Sequence, residues 1–167
     1  MPGSGRALFA AGLGSPANVS TMDQISIQTL GNAVDFGELT TVRDAPRGVG
    51  DYTRCINMSG NNHPAGSNVI DTILYSSRGN SADFGNLTQV RGAGASVAST
   101  TRGVYGGGYK TDPATEYNII EYITMATSGD AADFGDISAT RSRLNSGIVS
   151  SNTRGLFGGG TATPAKV

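Results

Sequence analysis

The chain of 167 residues contains no tryptophan, one cysteine and one histidine. A single cysteine, Cys55, rules out a disulfide framework within one chain. The lone His63 lies in an Asn61-Asn62-His63-Pro64 loop, and one His with one Cys falls short of the several converging ligands that a metal site needs. Charge of either sign is also scarce. Twelve basic and 13 acidic residues leave a net charge of −1, so there is no electrostatic footprint for nucleic acid or for an anionic membrane. Nothing approaches the ~18 consecutive apolar residues of a membrane-spanning helix. The weak apolar run from Ala7 to Leu13 reads as a strand of the repeat described next, so no signal peptide is expected.

What the chain does have is a repeat. Asp-Phe-Gly occurs at Asp35-Phe36-Gly37, Asp83-Phe84-Gly85 and Asp133-Phe134-Gly135, inside a longer frame. In each copy a Gly precedes the Asp by four positions (Gly31, Gly79, Gly129) and an Arg follows it by eight (Arg43, Arg91, Arg141). An Ile precedes it by ten (Ile25, Ile73, Ile123) and an acid by twelve (Asp23, Asp71, Glu121). An opening signature, Thr101-Arg102-Gly103-Val104-Tyr105-Gly106-Gly107-Gly108, returns as Thr153-Arg154-Gly155-Leu156-Phe157-Gly158-Gly159-Gly160, with more divergent copies beginning at Arg6 and Arg54. The frame divides a single array, 1–167, into units 6–53, 54–101 and 102–153 and a partial unit, 154–167. One supersecondary element has been copied, and function belongs to the array.

The periodicity inside a unit is that of β-structure. Asn68-Val69-Ile70-Asp71-Thr72-Ile73-Leu74-Tyr75 and Asn118-Ile119-Ile120-Glu121-Tyr122-Ile123-Thr124-Met125 are short β-branched and aromatic runs bounded by Gly-Asn or Gly-Asp turns. The Arg-Gly-Val-Tyr run predicts a second strand. Ala95-Ser96-Val97-Ala98, matched by Gly147-Ile148-Val149-Ser150, predicts a third within the same unit, and the Asp-Phe-Gly region a fourth. No stretch carries helical spacing. About four strands per unit of ~48–52 residues fits a propeller blade, since such repeats run from about 40 to about 50 residues.

The Arg102-Gly103-Val104-Tyr105-Gly106-Gly107-Gly108 segment with Tyr122 downstream resembles the kelch repeat. The longer composite, continuing through Asn118-Ile119-Ile120-Glu121-Tyr122-Ile123-Thr124 to Gly129-Asp130-Ala131-Ala132-Asp133-Phe134-Gly135-Asp136, is similar to kelch-like repeats of tail-fibre and other virion proteins of marine bacteriophages, cyanophages in particular. The resemblance covers nearly the whole chain. It departs from the kelch pattern in lacking the late Trp and, in the first two units, the glycine triplet. It implies an all-β, kelch-like β-propeller of about three blades plus a terminal strand, located on a phage particle.

No catalytic residue, cofactor site or metal site is expected. Asp-Phe-Gly is also found in protein kinases, but the Gly-rich ATP loop, strand Lys and His-Arg-Asp loop are missing. A structural role fits better: Asp accepting backbone hydrogen bonds in a turn, Phe plugging between sheets, and Gly taking a backbone geometry closed to other residues. The glycine triplets lack the Lys-Ser/Thr of a phosphate-binding loop and suit close backbone approach. Copper chemistry of the galactose-oxidase kind would need two His ligands. Cys55 occupies the position of Gly103 and Gly155, which predicts a small buried slot. The repeated acids are expected to make an ion pair or turn contact with Arg43, Arg91 and Arg141, or with Arg54, Arg102 and Arg154.

The loops that differ most between units, Gly14 to Ala17, Asn61 to Ser67 and Lys110 to Glu116, fall at equivalent positions, as a recognition face on a constant scaffold would. Candidate recognition residues are Ser15, Asn61, His63, Tyr109, Lys110, Asp112 and Tyr117. The expected function is non-enzymatic: a virion structural or adhesion protein whose partners are other virion proteins, copies of itself or host-surface glycans, without nucleic acid or membrane insertion. A lectin-type propeller is the alternative, although the lack of Trp removes the usual sugar-stacking platform. An enzyme is a distant third. Three units are too few to close a ring of about 4 to 8 blades, so either chains associate or the 167 residues belong to a longer propeller, and the duplicated phase of Arg6–Gly12 and Arg154–Gly160 favours the second.

Overall fold

The computed structural model describes residues 5–62, 65–144 and 148–161, in which sixteen β-strands and no helix are found. The strands fall into successive antiparallel sheets. β1 (Arg6–Gly12), β2 (Val19–Ser26) and β3 (Val34–Glu38) form the first sheet. β4 (Arg47–Gly50), β5 (Arg54–Met58), the two-residue β6 (Asn61–Asn62), β7 (Ala65–Leu74) and β8 (Ala82–Arg91) form the second, with the meander β4-β5-β7-β8 as its body. The third is β9 (Ala95–Ala98), β10 (Arg102–Gly106), β13 (Ile119–Thr124) and β14 (Ala132–Asp136), interrupted by a hairpin of β11 (Tyr109–Lys110) and β12 (Thr115–Glu116). β15 (Ile148–Ser150) and β16 (Gly155–Phe157) make a two-stranded ribbon. The all-β class and the repeated meander agree with the sequence reading, but the described residues form no closed ring or barrel.

The sheets are offset by one strand from the sequence units. Ala95–Ala98 was expected to complete the unit before it; instead it pairs with β10, Val104 opposite Val97. β4 pairs with β5 and β15 with β16 in the same way. The cause is local. Asp51 Oδ1 accepts hydrogen bonds from the N–H groups of Thr53 (2.7 Å) and Arg54 (2.9 Å), closing a tight hairpin between β4 and β5. Ser99 Oγ accepts from Thr101 N and Arg102 N, and Ser151 Oγ from Thr153 N and Arg154 N, in the two later copies. The Thr-Arg at Thr53-Arg54, Thr101-Arg102 and Thr153-Arg154 is therefore the second half of a turn, and strand pairing crosses it.

Asp-Phe-Gly is a β-bulge rather than a turn. Ile70 lies opposite Gly85 and Asp71 opposite Asp83, which leaves Phe84 as the extra residue, and Phe36 and Phe134 are extra in the same way. Glycine is required after the bulge because φ there is 146°, 150° and 132° at Gly37, Gly85 and Gly135. Of the three Asp side chains, that of Asp133 accepts a backbone hydrogen bond, from Gly135 N at 3.3 Å.

The core lies between sheets. Phe36, Met22 and Leu39 of the first sheet region pack with Ile73 of the second, and Phe84, Ile70 and Leu87 of the second with Ile123, Met125 and Ala131 of the third. Phe36 and Phe84 are 3% and 2% exposed, as expected of plugs between sheets. Phe134 is not: it is 53% exposed, its ring edge-on to Tyr122 at 6.0 Å, because among the described residues the β15–β16 ribbon has no counterpart of β7 or β13, whose Ile73 and Ile123 pack with the earlier rings.

Candidate recognition surface and the joints behind it

Each pair of neighbouring full sheets is held by the same joint. Within the first, the outer strand β3 bonds to the turn before β8: Gly79 N donates to Phe36 O (2.8 Å), Ser81 N to Glu38 O (2.8 Å), and Glu38 N to Asn80 Oδ1 (3.1 Å). The second joint repeats this, with Gly129 N to Phe84 O (2.7 Å), Ala131 N to Asn86 O (2.8 Å) and Asn86 N to Asp130 Oδ1 (2.9 Å). A Cβ on Gly37 or Gly85 would overlap the carbonyl of Gly79 or Gly129, so the motif's glycine serves close approach as well as φ.

Behind each joint sits an ion pair between units. Arg43 pairs with Asp71 and Arg91 with Glu121, and all four side chains are fully buried. Of the two sets of arginines left open by the sequence, the downstream set supplies both partners, Arg43 and Arg91 each reaching the acid of the next unit. Thr40 Oγ1 donates to Asp71, and Thr88 N donates to Glu121 Oε1 at 2.7 Å. Arg91 Nη1 also donates to Ile119 O at 3.0 Å, and its guanidinium lies 5.0 Å from the Tyr105 ring centroid. Burial lowers the Arg43 guanidinium's hold on its proton, while Asp71 opposes that shift. These carboxylates are committed to structure.

The glycine triplet also works by close approach: a Cβ on Gly107 would lie 2.7 Å from Arg141 O, and one on Gly108 2.8 Å from Gly92 O. Cys55 has room where its counterparts do not. A Cβ on Gly103 would lie 2.9 Å from Val49 Cγ2 and one on Gly155 2.6 Å from Val97 Cγ2, whereas among the described residues the first sheet has no strand corresponding to β4 or β9 to cover Cys55. Cys55 is only partly buried, yet desolvation pushes its thiol up to about 11 against the opposing hydrogen bond with Tyr75, which keeps it protonated at neutral pH.

The loops chosen as a recognition face follow β1, β5 and β10, and the residue after each repeated Arg stitches the later ones down. Asp44 and Asn61 exchange backbone hydrogen bonds (2.9 and 2.8 Å), as do Gly92 with Tyr109 (both 2.8 Å) and Ser142 with Thr161 (2.9 and 2.8 Å). This linkage was missed in the sequence, although its fixed place after the Arg was a signal. Asn18 Nδ2 donates to Asn61 O at 3.1 Å, joining the first loop to the second. Ser15 and Asp112 are exposed, Asp112 in the turn of the β11–β12 hairpin. Tyr109 and Lys110, partly buried, stand opposite Glu116 and Thr115 in that hairpin. Tyr117 is drawn inward, its ring 5.7 Å from the Arg91 guanidinium. Asn61 is partly buried by its bridge, and His63 lies outside the described residues. The structure thus links Ser15's loop, Asn61 and Tyr109 to the ends of the joints, and turns Tyr117 to a supporting role.

A second concavity lies elsewhere, between the first strands of successive sheets. It has a volume of about 380 Å³ and is lined by Gly48–Tyr52, Ser96–Thr100, Ser150 and Asn152. Ser96 Oγ donates to Gly48 O across it at 3.0 Å, and Tyr52 is 60% exposed. Among the described residues no three His, Cys, Asp or Glu side chains converge as a metal site would require, and no helix is long and apolar enough to cross a membrane. Comparison with known protein families gives no match for this chain, and no curated protein matches it.

Proposed function

We propose that the chain is a non-enzymatic structural and adhesion module of a phage particle, an arc of a kelch-like β-propeller that carries recognition loops on a rigid repeated scaffold. The observation that carries this reading is the allocation of side chains. In the two internal joints the repeated Arg, acid, Phe and Gly are consumed between sheets, while the residues that vary from unit to unit collect in the loops after β1, β5 and β10. A constant frame with variable loops is how binding surfaces are commonly built. The kelch-like and virion parts of the proposal rest on the sequence resemblance. Mass spectrometry and antibody labelling of purified particles test them: the protein is expected on the particle surface, and its absence from particles would refute the virion assignment.

The carbohydrate-binding alternative is favoured by one observation, the exposed Tyr52 ring beside the hydroxyls and amides of Ser99, Thr100 and Asn152. An aromatic face flanked by short polar groups suits a sugar ring. Glycan-array binding that is saturable and lost in Tyr52→Ala would establish that reading; binding lost on exchanging the 14–17 or 110–116 loops, with Tyr52→Ala unaffected, would place recognition on the loops.

A further inference from the structure

The joint between sheets is made twice inside the chain, and its two halves are each left over once, at opposite ends of the array. On the third sheet the accepting half is open: Phe134 is 53% exposed, a Cβ on Gly135 would meet nothing within 4 Å, and Arg141 reaches no carboxylate among the described residues, its Nη1 donating to Gly159 O at 3.3 Å. On the first sheet the donating half is open. Gly31, Asn32 and Ala33, which correspond to Gly79-Asn80-Ser81 and Gly129-Asp130-Ala131, are exposed. The Asp23 carboxylate, the counterpart of those of Asp71 and Glu121, has no hydrogen-bond or ion-pair partner among the described residues. Ile27 is 67% exposed, whereas its counterpart Met125 is 1% exposed and packs around Phe84.

We propose that these halves belong together in a head-to-tail contact between two copies of this chain, the first sheet of one copy docking on the third sheet of the next. This inference is independent of the virion reading. Complementarity is term by term: Arg141 faces Asp23, the Phe134 and Asp136 carbonyls face the N–H groups of Gly31 and Ala33, and Asp136 N faces the Asn32 amide oxygen. Each of these contacts is already made by the equivalent residues in the two internal joints. The contact is heterologous, with different surfaces of the same chain meeting, so it propagates or closes into a ring.

Strand count supports the same docking. Among the described residues the first sheet has the equivalents of β5, β7 and β8 but none of β4, and the β15–β16 ribbon has the equivalents of β4 and β5 but none of β7 or β8. β15 of one copy followed by β1, β2 and β3 of the next restores the four-stranded order. β1 then takes the station of β16, whose Arg154-Gly155-Leu156-Phe157 it matches as Arg6-Ala7-Leu8-Phe9. A two-stranded ribbon is the weaker competitor for that station. The Val97 side chain must turn aside, because Ala7 brings a methyl group where Gly155 has none.

The test is charge exchange read by light scattering. Wild-type chain is expected at a mass of at least twice 17.0 kDa. Asp23→Arg alone and Arg141→Asp alone are expected to fall to 17.0 kDa with unchanged β circular dichroism. Both an equimolar mixture of the two variants and the double variant D23R/R141D should recover the wild-type mass, since each restores opposite charges at every joint. A wild type that stays at 17.0 kDa at high concentration would overturn the proposal, as would single variants that associate like wild type. A single variant that loses its fold would overturn it too, by showing that the residue is engaged within its own chain.

Discussion

Removing Arg91 isolates the energetics of the joint. The Arg91 and Glu121 side chains are both 0% exposed, and Glu121 is otherwise held by the Thr88 N–H at 2.7 Å. Arg91→Met therefore leaves a carboxylate in the protein interior with one donor. Breaking a buried pair from one side costs about 3–5 kcal/mol, while replacing both members with apolar groups of similar volume is often neutral or stabilising. The lost bond to Ile119 O and the contact with the Tyr105 ring add a smaller amount in the same direction. Urea unfolding at low protein concentration should then rank three variants. R91M should lose about 3–5 kcal/mol, the double variant R91M/E121M should recover most of that, and R141M, with no carboxylate partner among the described residues, should lose about 1 kcal/mol or less. Coupling between Arg91 and Glu121 is read directly from the cycle. Equal losses for R91M and R141M would refute the argument that burial of an unpaired charge, rather than the arginine itself, sets the cost.

Three further outcomes follow from the joints. Phe36→Ala and Phe84→Ala should each cost about 3–5 kcal/mol in thermal or urea unfolding, whereas Phe134→Ala in the monomer should cost well under half of that, because the ring is already half in water; equal costs would show that burial between sheets is not what the motif provides. Gly85→Ala should destabilise more than Gly135→Ala, since both incur the positive-φ penalty but only the former drives a methyl into the Gly129 carbonyl; the reverse order in matched melts would contradict the close-approach argument. Burial pushes the Cys55 thiol up to about 11 and, with Cys55 and Asp51 nearby, the Tyr75 phenol up to about 12. Both folded values lie above the ordinary 9.0 and 10.0, so the folded state holds these protons more tightly: the stability they contribute is complete below pH 9.0 and is lost as pH rises through about 11 to about 12. Urea titrations across that range should show a decline that Cys55→Ala lessens, and iodoacetamide should modify Cys55 more slowly at neutral pH in the folded than in the unfolded chain; labelling at equal rates would refute the raised thiol.

The repeat, its period, the all-β class and the special standing of Asp-Phe-Gly, the acid and the Arg were legible in the sequence because each is a local pattern copied in register, and a position that recurs once per unit must satisfy the same need each time. Even the pairing of repeated acids with repeated arginines could be read. Which arginines they choose could not, because Arg43 and Arg54 are both near enough along the chain to Asp71, and the choice is made by sheet packing that brings Arg43 to the next unit's acid. The sheet boundary was likewise hidden: the Thr-Arg signature marks the sequence phase, while hydrogen-bonded closure by Asp51, Ser99 and Ser151 draws the preceding strand into the following sheet. Identical motifs also have different environments. Phe36, Phe84 and Phe134 share one sequence context, yet two are buried and one is exposed, since burial depends on what the neighbouring sheet supplies and not on the residue's own segment. Local chemistry specified the parts and their bulges; only the packing of one sheet against the next decided which parts are covered and which remain open for a partner.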